Sequence, residues 1–128
     1  MVLFFILDKI LNKIKYPYNV NSLTLDKAYE ALKNSRSKNK WIEQILEARE
    51  QLIKELANLS FVEKVYPTDA NFMLVKMKAA KNIYNYLIDK RIIIRDRSKV
   101  RLCEECLRIT VGTQDENLLL INALKEYI

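Results

Sequence analysis

The fold is decided by the stretch FVEKVYPTDANFMLVKM, residues 61–77. Its two ends, residues 61–66 and 72–77, are rich in the β-branched and aromatic residues that favour strands. The connection between them, residues 67–71, contains the turn-forming residues Pro, Asp and Asn. A connection this short joins strands that run in opposite directions. The stretch therefore predicts an antiparallel strand pair.

Three helices are predicted upstream of this pair. The first covers residues 1–14, where apolar residues recur at three- and four-residue spacing. The second begins at a cap formed by Asn21 or Ser22 and is closed by the polar run 34–40. The third covers residues 42–59 and has the strongest separation of an apolar face from a charged face.

The downstream half predicts helix, strand, strand and helix. Residues 80–88 form a helix, and residues 92–94, three isoleucines, form a buried strand. The polar, basic segment 95–105 is predicted to be a loop, and residues 107–111 alternate as a half-buried strand does. A capping box, Thr113 with Glu116, opens the last helix, whose apolar stripe is Leu118, Ile121, Leu124 and Ile128.

This order of elements predicts an α+β two-layer sandwich, with a small, largely antiparallel sheet and helices packed on one face. The 128 residues suffice for one compact domain. A single glycine excludes the Gly-rich loops that cradle phosphate, and the absence of histidine excludes imidazole bases and His-based metal sites. The two cysteines, Cys103 and Cys106, are too few for a zinc site and are expected as free thiols in a reducing cytosol.

The net charge of +6 fits an anionic substrate, a nucleic acid or a solvated lysine-rich surface. A stand-alone basic nucleic-acid-binding module is one alternative, although no motif interleaves basic and stacking aromatic residues. No apolar run is long enough for a membrane span, and none has the form of a secretory signal. The chain is therefore expected in the cytoplasm, without a membrane as partner. Because the basic–aromatic motif is missing, nucleic acid is not expected as a partner either.

Four segments carry a resemblance to a known family. Residues 106–113, Cys-Leu-Arg-Ile-Thr-Val-Gly-Thr, followed by Glu116 and Asn117, are similar to the C-terminal signature of histidinol-phosphate aminotransferases. These are pyridoxal-phosphate enzymes of the aspartate aminotransferase fold type. The other matching segments are 15–21, 69–74 and 93–96.

The resemblance implies a C-terminal small domain at residues 16–128, preceded by a remnant of the interdomain helix at residues 1–15. The large cofactor-binding domain is absent from this sequence. In the complete homodimeric enzyme, the small domain would close over substrate during amino transfer between L-glutamate and imidazole acetol phosphate, in histidine biosynthesis. The isolated chain is expected to be inactive and to bind no pyridoxal phosphate. An unpartnered helix at residues 1–14 would favour self-association.

The resemblance also assigns site residues. Arg108 matches the family's substrate-anion arginine, whose planar fork can bind a carboxylate or a phosphate. Arg95 resembles a second arginine at the phosphate end, with Arg97 and Arg101 as alternatives. No catalytic residue is assigned, because the family's Schiff-base lysine lies in the large domain. No metal ligand is assigned either. The segment 35–38, Ser-Arg-Ser-Lys, lacks the glycines that accompany that lysine.

Other pyridoxal-phosphate enzymes would share this domain and its arginine. An aromatic aminotransferase or a threonine-phosphate decarboxylase is therefore the nearest alternative to histidinol-phosphate aminotransferase.

Overall fold

A computed structural model of the chain describes residues 10–13, 20–33 and 35–127. The chain divides into two compact units, Met1–Ser37 and Lys38–Ile128. In the first unit, residues 10–13 are helical and exposed. The rest of the predicted helix 1–14, and residues 15–19 of the matching segment 15–21, lie outside the described residues.

Helix α1, Ser22–Lys33, begins where its cap was predicted. The side-chain oxygen of Asn21 accepts a hydrogen bond from the backbone amide of Thr24 at 2.8 Å. This bond satisfies one of the amides that have no partner inside the helix. Asn21, rather than Ser22, is therefore the cap.

Helix α2, Ser35–Ala57, is longer than the sequence predicts. The polar run 34–40 was expected to be a connection, but residues 35–40 belong to the helix. The physical reason is composition: the run contains neither glycine nor proline, and lysine and arginine are good helix formers on an exposed face. Lys38 is consequently an exposed helical residue and not part of a loop.

Four strands form one sheet in the order β1-β2-β4-β3. They are β1 (Val62–Val65), β2 (Phe72–Met77), β3 (Arg95–Asp96) and β4 (Cys106–Thr110), and each neighbouring pair is antiparallel. Helix α3 (Ala80–Asp89) separates β2 from β3, and helix α4 (Gln114–Glu126) follows β4. The predicted α+β class and the antiparallel pair around residues 67–71 are both confirmed.

The core lies on one face of this sheet. Alternate residues of β2 and β4 are completely or almost completely buried there; of the residues between them, only Cys106 is also buried. Each fully buried aliphatic side chain contributes about 1.5–3 kcal/mol relative to an exposed one. The sheet and helices α2, α3 and α4 supply the largest of these side chains: Leu56, Met73, Val75, Met77, Ile83, Leu87, Leu107, Ile109 and Leu124.

The strand predicted at residues 92–94 is wrong. Arg91 has a left-handed backbone, with φ of 63°, and the amide of Ile92 donates to the carbonyl of Leu87, so this segment closes helix α3. Ile94 is 7% exposed but Ile93 is 83% exposed. Pairing with β4 starts only at β3, inside the segment predicted to be a loop.

The stripe predicted for helix α4 is also partly wrong. Leu118 is exposed, whereas Leu120, Ile121, Ala123 and Leu124 are buried. Ile128 lies outside the described residues. No helix in the described part of the chain is both long and apolar enough to cross a membrane.

Candidate functional site

The sheet has a second face, turned away from the helices, which we call the open face. Because side chains alternate along a strand, the residues between the buried positions of β2 and β4 point to this side. Its members from β2, β3 and β4 include two arginines and a lysine: Phe72, Leu74, Lys76, Arg95, Cys106, Arg108 and Thr110.

The two arginines assigned by resemblance lie directly opposite each other on this face. Arg95 of β3 and Arg108 of β4 are partners in the antiparallel register. Directly opposed residues in such a pair share a face and have Cβ atoms about 5 Å apart. Arg108 is half-buried, and Arg95, on the edge strand, is exposed.

Within the described part of the chain, the guanidinium of Arg108 has no hydrogen-bond acceptor. Its Cζ lies 4.9 Å from the centroid of the Phe72 ring, a distance typical of a cation–π contact. Its Nε is buried and has no hydrogen-bond partner among residues 10–13, 20–33 and 35–127. A buried donor without a partner costs free energy, so an incoming acceptor would be favoured at this position.

The charge arrangement also favours an anion. Like charges directly opposed in a sheet destabilise the strand pair. Among the described residues, no ion pair involves Arg95 or Arg108. A carboxylate or phosphate between the two guanidinium groups would remove this repulsion and accept several charge-assisted hydrogen bonds.

Asp96 follows Arg95 but is engaged elsewhere. Its carboxylate accepts a hydrogen bond from the amide of Ser98 at 2.9 Å and lies 3.7 Å from the ammonium of Lys81. The hydrogen bonds from Ser98, and then Lys81, hold the pKa of this carboxyl group below its usual value. Its register partner is Leu107, so it belongs to the side of the sheet opposite to Arg108.

Arg97 and Arg101 were the alternatives to Arg95. The backbone amide of Arg97 donates to the carbonyl of Cys106 at 2.9 Å, just beyond the paired part of β3. Arg101 is exposed in the following turns. Of the three, only Arg95 is a register partner of Arg108.

Two residues that support this site were missed by the sequence analysis. Phe72 begins β2 and covers the guanidinium of Arg108; alternation with Met73 could have placed it on the open face. Arg49, on helix α2, donates from Nη1 to the carbonyl of Ala70 at 3.0 Å, in the turn before Phe72. No pattern in the sequence indicates that long-range contact.

The end of β4 is held by the residues of the C-terminal motif. Gly112 donates its amide to Oδ1 of Asn117 at 2.9 Å, and Nδ2 of Asn117 donates to the carbonyl of Gly112 at 3.1 Å. The predicted capping box of Thr113 and Glu116 is confirmed. These bonds join the strand that carries Arg108 to the first turn of helix α4.

Comparison with known proteins gives this geometry a context. The family described as aminotransferase class I and II matches residues 6–124. The chain is 53% identical over 116 residues to the histidinol-phosphate aminotransferase of Flavobacterium johnsoniae, covering 91% of this chain and 33% of that protein. It is 48% identical over 118 residues to the enzyme of the same name from Cytophaga hutchinsonii, covering 92% of this chain and 34% of that protein. It thus spans about a third of the length of these relatives.

Solved structures agree on the fold. The crystal structure of the histidinol-phosphate aminotransferase from Clostridium acetobutylicum matches with a TM-score of 0.78 at 23% identity, covering 91% of this chain and 36% of that one. The L-threonine-O-3-phosphate decarboxylase from Porphyromonas gingivalis matches with a TM-score of 0.65 at 27% identity, covering 93% of this chain and 38% of that one. The chain belongs to the aminotransferase class I and II family.

Proposed function

We propose that the chain is the small domain of a histidinol-phosphate aminotransferase, at residues 16–128, and that residues 1–15 belong to the helix that joins it to the large domain. The observation that carries the proposal is the pair of opposed arginines on the open face, since this pair is suited to an anion. Identities of 48–53% to enzymes with that name support the choice of substrate. The complete enzyme would be a cytoplasmic homodimer.

The chain's own contribution is to bind and orient substrate. Arg108 would bind the anionic group with two parallel hydrogen bonds, because its planar fork matches both carboxylate and phosphate. One site can therefore serve L-glutamate and the phosphate of the histidinol derivative in turn. Arg95 would add a second positive charge from the edge strand. Fixing the anion in this way orients the reacting end of the substrate away from the sheet.

The family depends on pyridoxal phosphate, which acts as an electron sink in amino transfer. The described residues of this chain do not fit the cofactor. None of their buried side chains is polar or charged, and no described lysine is buried. Lys38 is exposed on α2. We therefore propose that the isolated chain binds no pyridoxal phosphate and transfers no amino group.

A chimera tests the proposed function. The matching 116-residue segment of the Flavobacterium johnsoniae enzyme is replaced by this chain's own residues. We expect the chimera to transfer the amino group of L-glutamate to imidazole acetol phosphate, and the isolated chain to show neither this activity nor a borohydride-reducible adduct with the cofactor. A chimera that folds and binds cofactor but is inactive would contradict the proposal.

The decarboxylase alternative has a structural basis, because the L-threonine-O-3-phosphate decarboxylase shares the fold. Its identity to this chain, 27%, is well below that of the aminotransferases. The corresponding chimera, built in that decarboxylase, provides the control. Release of carbon dioxide from threonine phosphate by this second chimera, with no amino transfer by the first, would favour the alternative.

A further inference from the structure

Two thiols lie in the turn that leads into β4. Cys103 and Cys106 are both free. The amide of Cys106 donates to the carbonyl of Cys103 at 3.0 Å, so residues 103–106 form a β-turn. The end Cα atoms of a β-turn lie within about 7 Å, and a disulfide spans a Cα separation of roughly 4.4–6.8 Å. The backbone therefore already holds the two cysteines within reach of each other.

The shape of this turn is maintained by contacts outside it. Glu105, its third residue, has a left-handed backbone with φ of 56°, which is uncommon for a residue other than glycine or asparagine. Two hydrogen bonds hold it there: its Oε2 accepts from the amide of Ala80 at 2.7 Å, and its carbonyl accepts from the amide of Met77 at 2.9 Å. The turn that brings the two cysteines together is therefore held in place by the rest of the fold.

The two thiols differ in access. Cys103 is partly exposed, whereas Cys106 is 1% exposed and its Sγ lies 3.5 Å from the carbonyl oxygen of Glu104. Burial raises the pKa of the Cys106 thiol, so this group is the weaker nucleophile in the folded chain. The preceding turns carry the exposed cations Lys99 and Arg101, which would attract an anionic reagent.

We propose that Cys103 and Cys106 form a reversible dithiol–disulfide site, oxidised by a low-molecular-weight disulfide such as glutathione disulfide. The thiolate of Cys103 attacks one sulfur of the reagent, breaks its S–S bond and releases one thiol. The thiolate of Cys106 then attacks the Cys103 sulfur of the mixed disulfide and releases the second thiol. The chain loses two electrons and two protons, and the reagent is reduced to two thiols.

The sequence provides a direct readout. Trypsin cleaves after Arg101 and Arg108, and the peptide between, LCEECLR, contains both cysteines with no cleavage site between them. The folded 128-residue chain is titrated with mixtures of glutathione and its disulfide, trapped with an alkylating agent and digested. We expect this peptide to become about 2 Da lighter than the unalkylated dithiol and to lose both alkylation sites, with full recovery on reduction.

Single variants separate the two roles. In Cys106→Ala the reaction should stop at a glutathione adduct on Cys103, and in Cys103→Ala the remaining thiol should react far more slowly. The wild-type peptide mass decides the outcome even where a variant fails to fold. A wild-type chain that ends as a glutathione adduct, forms bridges only between chains, or stays reduced throughout the titration would overturn the proposal.

Discussion

Phe72 and Arg108 are diagonal neighbours on adjacent strands, with the guanidinium carbon 4.9 Å from the ring centroid. Phe72 is 37% exposed, so its ring serves little in the core and instead covers one side of the guanidinium. The turn before it is fixed from helix α2 by Arg49 and internally by Thr68, whose hydroxyl donates to the carbonyl of Phe72 at 2.8 Å. Contacts on the helix side of the molecule thus set the position of a residue on the open face.

The first prediction concerns Phe72→Leu in the chimeric aminotransferase. Loss of a partly exposed cation–π contact, about 0.5–1 kcal/mol, should raise KM for the phosphorylated substrate about two- to fivefold. Phe72→Tyr keeps the ring and should restore the original KM. Equal KM values for all three proteins in steady-state kinetics would show that the ring does not position Arg108.

The second prediction concerns Gly112→Ala. A Cβ at this position would lie 2.9 Å from Cβ of Glu116 and 2.8 Å from its Oε2, so helix α4 would have to shift. We expect the free energy of unfolding to fall by about 1–3 kcal/mol, the usual cost of overpacking. Urea denaturation of the chain measures it, with the exposed Gln114→Ala as the matched control. A change no larger than that of the control would contradict the packing argument.

The third prediction concerns acid stability. The hydrogen bonds from the amide and hydroxyl of Thr113 lower the pKa of Glu116 from its ordinary value of 4.5. A carboxyl group with a lowered pKa in the folded state stabilises the protein above its unfolded pKa, and this contribution is lost as the pH falls through the folded value. The thermal midpoint should therefore decrease below about pH 4.5, and less steeply in Glu116→Gln.

Thr113→Ala is the complementary variant, since it removes the cap itself. It should reduce the free energy of unfolding by about 1 kcal/mol at neutral pH. An identical pH profile of the thermal midpoint for the wild type and Glu116→Gln would contradict the assigned role of this carboxylate.

The fourth prediction distinguishes two neighbouring isoleucines. Ile94→Ala should cost about 2–4 kcal/mol of unfolding free energy, because its side chain is in the core. Ile93→Ala should change the unfolding free energy by less than about 0.5 kcal/mol, as is usual for an exposed site. Similar losses for both, as expected of a strand buried on both faces, would contradict the observed end of helix α3.

The same two residues show what the sequence can and cannot predict. Three consecutive isoleucines favour a strand, but this segment closes helix α3, and pairing with β4 begins only at Arg95 and Asp96. Strand alternation in residues 107–111, by contrast, needs only local information, and it correctly predicted that Arg108 faces away from the core. The register that brings Arg95 opposite Arg108 is a tertiary property, and only the resemblance indicated that the two belong to one site.

Helix boundaries show a similar limit. Helix caps are local hydrogen-bond patterns: the capping box at Thr113 was predicted, and the cap at Asn21 was one of the two predicted, with Ser22 as the other. The polar run before residue 41 was predicted to be a connection because its composition indicates solvent exposure. An exposed polar segment can nevertheless be helical. In helix α4, the sequence suggested an apolar stripe through Leu118, but packing against the sheet buries Leu120 instead.

The central claim, that Arg108 binds the substrate anion, is tested most directly by Arg108→Ala in the chimeric aminotransferase, with kcat/KM for histidinol phosphate as the measurement. We expect kcat/KM to fall by the equivalent of about 2–5 kcal/mol, the scale for truncating one partner of a buried charge pair. Arg108→Lys should restore only part, because an ammonium group cannot make the bidentate contact. The thermal midpoint of the isolated chain should change little. An unchanged kcat/KM, or a thermal midpoint that collapses in the isolated chain, would show that Arg108 is a structural residue and contradict the account.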